Sequence, residues 1–240
     1  MEGTISQALL AVGGRASRLK AGGVTVPISK SFLEIAGRPL LFWSLCSLYQ
    51  AGIRSLVIAG QDIACLQEAQ RTLHTLPFRF NRVHLFHDFG WGVHGLPYQT
   101  RYLLDEAYIF ECGHGLSTPN HYRKLMRAKK PGNVVFSAFV PHPDNPRQPV
   151  ILKGRRVVMT DANPAARALA HPLVVDQEYA RQLLELNFDI HKIIDHYASK
   201  GNLRYVSNTM PPEFDVASEM NDATAIYENF AQQLSAIIKL

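Results

Sequence analysis

Arg18 and Lys30 are the residues of this chain best suited to chemistry on phosphate. They follow an apolar run, Gln7–Val12, that leads straight into Gly13 and Gly14. A strand that ends in glycines lets backbone N–H groups approach an anion closely. Two fixed cations beyond it can then hold the charge that builds up as a phosphoryl group is transferred. The stretch Ala8–Leu41 therefore reads as a phosphate cradle built on a buried strand.

The same stretch resembles the N-terminal signature of the sugar-1-phosphate pyrophosphorylases, the nucleotidyltransferases that make nucleotide sugars. That signature reads roughly L-A-A-G-x-G-T-R-L, then P-K-x-L-x-x-I-x-G-x-P-L-L. Here the matching stretches are Leu10–Leu19 and Ser29–Leu41. The resemblance places Arg18 and Lys30 on the family's two basic catalytic positions and Ala11, Val12, Gly13 and Gly14 on its nucleotide-binding turn. Ala16 and Ser17 replace the usual Gly-Thr, and Ser29 replaces a proline. Serine for threonine keeps a hydroxyl, whereas alanine for glycine narrows the loop by a methyl and disfavours a positive φ.

Joining a nucleoside triphosphate to a sugar phosphate brings two polyanions together, a task for a divalent cation such as Mg²⁺ or Mn²⁺. The family holds it with two aspartates. Its C-terminal motif, F-x-D-I-x-T-P-E-D, is matched by Glu213–Asp222 and puts Asp215 on one of them. Its other motif, F-L-V-x-x-G-D, falls on the run after Tyr108, where Gly113 keeps the glycine and His114 stands in the aspartate position. Mg²⁺ prefers hard oxygen ligands and imidazole suits Mn²⁺ or other transition ions. Three readings follow: His114 binds a softer metal, it meets phosphate directly as a cation, or the metal site is lost. His84, His87 and His94 lack the i, i+4 spacing of a helical metal site and read as structural.

Other departures concern the acceptor. The family's Y-G-V-V-like step aligns with Gln148-Pro149-Val150, and its E-K-P motif with Ala162-Asn163-Pro164. Pro149 and Asn163 thus occupy acceptor-binding positions, but the lysine that grips the sugar phosphate is absent. Proline also removes an N–H and fills space that glycine leaves open. An ordinary phosphorylated hexose is not the expected acceptor. For the base, a G-L-A-Q-A-like motif matches Gly95-Leu96-Pro97-Tyr98-Gln99, so Gly95 would let the base approach the backbone. Trp91 or Tyr98 would lie over it, or both are ordinary core or rim aromatics.

The elements that must position these residues alternate between buried strands and helices. Strands are expected at Gln7–Val12, Arg54–Ala59, Arg82–Phe86, Tyr108–Cys112, Asn133–Val140 and Leu203–Ser207. Helices are expected at Pro39–Gln50, Ile63–His74, Leu96–Glu106, Asp176–Leu186, Ile190–Ser199 and Ser218–Ile238, the last with Ser218 as N-cap. Val150–Lys153 and Arg156–Thr160 read as a hairpin. This is an α/β chain with a Rossmann-like, doubly wound, mostly parallel sheet, whose ligands sit at the carboxyl ends of the strands. The resemblance adds a small hairpin-containing sugar-binding subdomain and a GT-A-like nucleotidyltransferase fold.

The 240 residues fit a single domain, with a nucleotide-binding half over about 1–132, an acceptor-binding half over about 133–217 and a C-terminal helix at 218–238. The net charge is +5, but its cations are dispersed, so phosphorylated substrates rather than nucleic acid are the expected partners. No apolar run is long enough to span a membrane, and the start lacks the pattern of a signal peptide, so cytoplasm is the expected compartment. Cys46, Cys65 and Cys112 read as reduced core thiols. Ile226, Phe230, Leu234, Ile237 and Ile238 form a stripe that packs on the chain's own core or, in a homo-oligomer, on a second copy.

The function expected from the resemblance is transfer of a nucleoside monophosphate group from an NTP to a sugar phosphate or similar phosphorylated small molecule, with release of pyrophosphate. The alternative, prompted by the missing aspartate, lysine and glycine, is an inactive relative that binds a nucleotide or nucleotide sugar for sensing or assembly.

Overall fold

The computed structural model describes residues 5–14, 16–26, 28–140, 150–153, 156–159, 168–208 and 217–238; the side chains of 17, 18, 150–153, 156–159, 217–219, 221 and 222 lie outside that description. The chain begins with β1 (Gln7–Ala11), α1 (Ser17–Ala21) and a small hairpin of β2 (Glu34–Ile35) and β3 (Arg38–Pro39). Three parallel-sheet units follow: α2 (Leu40–Ala51) into β4 (Ser55–Gly60), α3 (Ile63–His74) into β5 (Arg82–His87), and α4 (Leu96–Gln99) before β6 (Ala107–Cys112). Then come α5 (Pro119–Ala128), β7 (Val134–Phe139), β8 (Val150–Lys153), β9 (Arg156–Met159) and β10 (Ala168–Asp176). The described chain closes with α6 (Gln177–Glu185), α7 (Ile190–Ser199), β11 (Leu203–Ser207) and α8 (Ala217–Ile238).

The described residues build a seven-stranded sheet in the order β11-β7-β10-β6-β1-β4-β5. Within it β10 runs antiparallel to both β6 and β7, and every other neighbouring pair is parallel. The central strands are apolar and buried along their length, as required of strands covered by helices on both faces. One core lies between the sheet and α6–α7, the other between the sheet and α2, α3 and α5. Local sequence sets the helix ends. Asp62 caps α3 by accepting from Cys65 N at 2.7 Å, and Gly52, at φ +110°, stops α2.

Several sequence expectations change. The helix expected over Leu96–Glu106 ends at Gln99 and gives way to a 3₁₀ turn at Arg101–Leu103. Side-chain amides replace the helical bonds there: Gln7 Nε2 donates to Leu103 O, and Gln177 Nε2 to Leu104 O. Besides the short α1, β2 and β3, the elements β10 and α5 were not expected. Pro172 inside the apolar run argues against a central strand, yet a register shift between Ala170 and Leu173 absorbs it. Helix α5 starts at Pro119 behind the cap Thr118, whose hydroxyl accepts from His121 N at 3.1 Å. Finally, α8 begins at Ala217, so Ser218 is in its first turn. Its inward face carries Ala223, Tyr227, Phe230 and Leu234, which pack with Phe42 and Trp43 of α2, while Ile226 and Ile237 are exposed.

The hairpin β8–β9 forms as expected, from Val150 opposite Met159 to Lys153 opposite Arg156. The three cysteines are free and buried, and burial pushes the Cys46 and Cys65 thiols up to about 12. Among the described residues no helix is long and apolar enough to cross a membrane.

Candidate functional site

The chain runs outward from β1 through β4 to β5, then returns to β6 on the other side of β1. The crevice at the carboxyl ends of β1 and β6 is therefore the switch point of the sheet, where open α/β folds take their ligands. Ala11 pairs level with both Ala59 and Cys112, so three strands end together. Two backbone bonds extend the ladders past those ends, Val12 N to Ala59 O and Gly113 N to Ala11 O, each at 2.8 Å.

A cavity of about 380 Å³ opens there. On one side it is lined by Ala11, Gly13, Gly14, Lys30, Gln61 and Asp88. Gly13 is required by close packing, since a Cβ at that position would stand 2.8 Å from Gln61 Cγ and 3.1 Å from Gln61 N. Gly14 has φ +131°, a conformation that favours glycine. Ala16 also takes a positive φ, +50°. The methyl therefore does not prevent the left-handed turn expected to be disfavoured; it makes that turn costly.

Lys30 opens a 3₁₀ turn held by Ser29, whose buried hydroxyl donates to Val12 O at 2.7 Å. Serine in place of the family's proline thus ties the lysine segment to the end of β1. The sequence indicated the substitution but not this bond.

His114 is buried and lines the same cavity from the β6 side. It follows Gly113, where a Cβ would lie 2.9 Å from Val12 Cγ1. The turn is closed by Gly115 N donating to Cys112 O at 2.9 Å. Strand β6 itself carries a buried carboxylate, Glu111, which faces the α5 side and accepts from the Tyr122 hydroxyl.

The segment after β5 is locked by side chains. Asp88 Oδ1 accepts from Gln99 Nε2 at 3.0 Å and from Gly90 N at 2.9 Å, and Gln99 Oε1 accepts from Phe89 N at 3.0 Å. Gly95 is buried beside the lining residues His94 and Leu96, and a Cβ there would fall 2.5 Å from Trp91 Cβ. Trp91 stacks on Tyr98 at 6.2 Å and meets Phe188 at 5.5 Å, so these aromatics pack on one another.

The structure brings Ala11, Gly13, Gly14, Lys30 and His114 to one cavity, with Val12 and Gly95 adjoining it in sequence. Arg18 is in α1, but its side chain, together with Asp215, Pro149 and Asn163, lies outside the described residues. Among the described residues no group of three His, Cys, Asp or Glu side chains is placed to hold a metal ion. Sequence reasoning missed Gln61, Asp88 and His171 as cavity residues and read His94 as structural. Gln61 follows β4, Asp88 and His94 follow β5 and His171 is in β10, and only the sheet order brings them together.

No family profile matches the chain, and no curated protein does. Solved structures do. The inositol-1-phosphate CTP transferase from T. maritima aligns with a TM-score of 0.76 at 14% identity, covering 98% of both chains. A nucleotidyl transferase from Methanothermobacter aligns at 0.68 with 16% identity, covering 96% of this chain and all (100%) of that one. The 4-diphosphocytidyl-2C-methyl-D-erythritol synthase from Anaerococcus prevotii aligns at 0.64 with 14% identity over 94% and 96% of the two chains. The chain therefore has the α/β fold of these nucleotidyltransferase structures along nearly its whole length.

Proposed function

We propose that the protein transfers a nucleoside monophosphate group from an NTP to a phosphorylated small molecule and releases pyrophosphate. The observation that carries this reading is the convergence of Gly13, Gly14, Lys30 and His114 on one cavity at the switch point of the sheet. Gly13 and Gly14 cradle the triphosphate, with Ala11, Val12 and Gly95 along the nucleotide. The acceptor phosphate oxygen attacks the α-phosphorus in line. Lys30 stabilises charge on the α-phosphoryl group, Arg18 neutralises the departing pyrophosphate, and Pro149 and Asn163 meet the acceptor. Positioning and electrostatics carry most of such a reaction.

His114 and Asp215 are the residues that would hold a divalent metal. When bound, the metal would offset the charge of the two polyanions. A buried imidazole facing the cavity suits Mn²⁺ better than Mg²⁺.

The test is pyrophosphate release from each of the four NTPs with a panel of phosphorylated acceptors, in Mg²⁺ and in Mn²⁺. Release is expected, larger in Mn²⁺, and Lys30→Ala should lower turnover at least ~100-fold. Nucleotide binding without release across the panel would favour the inactive, nucleotide-sensing alternative, and near-normal turnover of Lys30→Ala would remove the role given to that lysine.

A further inference from the structure

The segment after β5 holds one carboxylate in a fixed pose at the cavity wall. Asp88 directly follows β5, and its backbone N–H donates to Gly60 O at 2.9 Å, which carries the β4–β5 ladder one residue further. It is 6% exposed and lines the cavity. Its Oδ1 accepts two bonds, from Gly90 N at 2.9 Å and from Gln99 Nε2 at 3.0 Å. The Gln99 amide cannot be reversed, because its Oε1 accepts from Phe89 N at 3.0 Å. Oδ2 takes no hydrogen bond among the described residues, and it is not one of their sealed, unpaired polar atoms, so it is the oxygen that meets the cavity. An ionised carboxylate only accepts, and whatever meets Oδ2 must bring an N–H or O–H.

The sheet order decides which part of a nucleotide that is. Gly13, past the end of β1, packs on Gln61, past the end of β4, where an added Cβ would stand 2.8 Å from Gln61 Cγ. Asp88 lies one strand further, so two strand intervals, about 10 Å, separate it from the glycine turn. This is beyond the reach of a ribose whose phosphates lie at the turn, and it is the reach of the outer edge of the base. Gly95, expected to let the base approach, adjoins the same group: a Cβ there would be 3.3 Å from Gln99 Nε2. Bases differ at that edge. Cytosine, adenine and guanine carry an exocyclic amino donor, whereas uracil shows a carbonyl oxygen where cytosine has its amino group.

We infer that, within the nucleotidyl-transfer reading on which this inference rests, Asp88 selects the base. Its Oδ2 accepts from an exocyclic amino group, so the site takes an amino-bearing nucleotide and rejects the carbonyl counterpart. With the carbonyl base two acceptors would face each other in a buried site, each without a donor.

Equilibrium binding of CTP, UTP, ATP, GTP and ITP to the full chain, with Mn²⁺ and no acceptor, tests this. CTP should bind at least ~10-fold tighter than UTP if the pocket takes pyrimidines, and ATP or GTP by the same margin over ITP if it takes purines. Asp88→Asn must keep its oxygen toward Gly90 N and Gln99 Nε2, which puts an NH₂ donor where Oδ2 stood. The preference should then invert, to UTP over CTP or to ITP over ATP. Inorganic triphosphate, which has no base, should bind wild type and variant alike. Equal binding of amino and carbonyl bases, the result expected if Oδ2 met a ribose hydroxyl, would overturn the inference, as would a preference unchanged in Asp88→Asn or a loss of triphosphate affinity in that variant. Should the variant not fold, the wild-type ratios decide alone. Failure of every nucleotide to bind would refute the nucleotidyl-transfer reading and this inference with it.

Discussion

The hydroxyl of Ser29 donates to the carbonyl oxygen of Val12 at 2.7 Å, and this bond joins the segment that carries Lys30 to the end of the strand that carries the glycine turn. Both groups are buried, so neither has water to replace the other. Removing the hydroxyl leaves a buried carbonyl without that donor. Ser29→Ala should cost about 1–2 kcal/mol in urea unfolding and lower turnover by loosening Lys30. Unchanged stability together with unchanged turnover would show that the bond does not position the lysine.

Gly113 sits where Val12 Cγ1 would be 2.9 Å, and Leu41 Cδ1 and Ser31 Oγ 3.2 Å, from an added Cβ. Those neighbours belong to buried parts of the core and cannot all retreat. Gly113→Ala should destabilise the fold by about 1–3 kcal/mol and displace the His114 turn. Denaturant midpoints check the first effect, and the shift of the His114 ring resonances in NMR the second.

Ala16 holds φ at +50°, and its carbonyl accepts from Lys20 N at the start of α1. An L-residue pays roughly 1–2 kcal/mol for that conformation. Glycine removes this cost but loses more entropy on folding, about 0.5–1 kcal/mol. Ala16→Gly should therefore stabilise the protein slightly, by about 0.5–1 kcal/mol, in the same urea experiment; a loss of stability would mean that the alanine methyl contributes packing worth more than its strain.

His121 is buried with Nε2 2.8 Å from Ser137 Oγ, and that hydroxyl donates to Pro172 O at 2.9 Å. Burial first, and then the charge of Lys124, lower its pKa from 6.5 to about 4. Because the folded value lies below the unfolded one, the unfolded chain binds the extra proton between them. This contribution to stability is complete above pH 6.5 and is lost as the pH falls toward about 4, by about 3 kcal/mol over the whole window. Stability curves from pH 7 to 4 should show that decline, and His121→Gln should flatten it.

Much of the fold was readable because its signals are local. The run Ile63–His74 carries helical spacing behind an Asp cap, and Leu203–Ser207 is a short β-rich run, so both ranges match the structure at each end. Strand β10 was not readable, because Pro172 contradicts a strand and only pairing with β6 and β7, through a register shift, overrides it. The helix expected after Leu96 failed for a related reason, since its carbonyls are taken by Gln7 and Gln177, distant in the chain. The site divides in the same way. Gly13, Gly14 and Lys30 flank one strand and one turn, whereas Asp88, His94 and His171 converge only once the sheet order is known.

In the proposed reaction a triphosphate lies against Gly13 and Gly14 with Lys30 at its α-phosphate. A crystal structure of the protein soaked with an α,β-methylene NTP and Mn²⁺ tests it most directly. Phosphate oxygens are expected within hydrogen-bond reach of the N–H groups after β1 and of Lys30 Nζ, with His114 and Asp215 at the ion. A nucleotide bound elsewhere on the surface, with the switch-point cavity untouched, would contradict it.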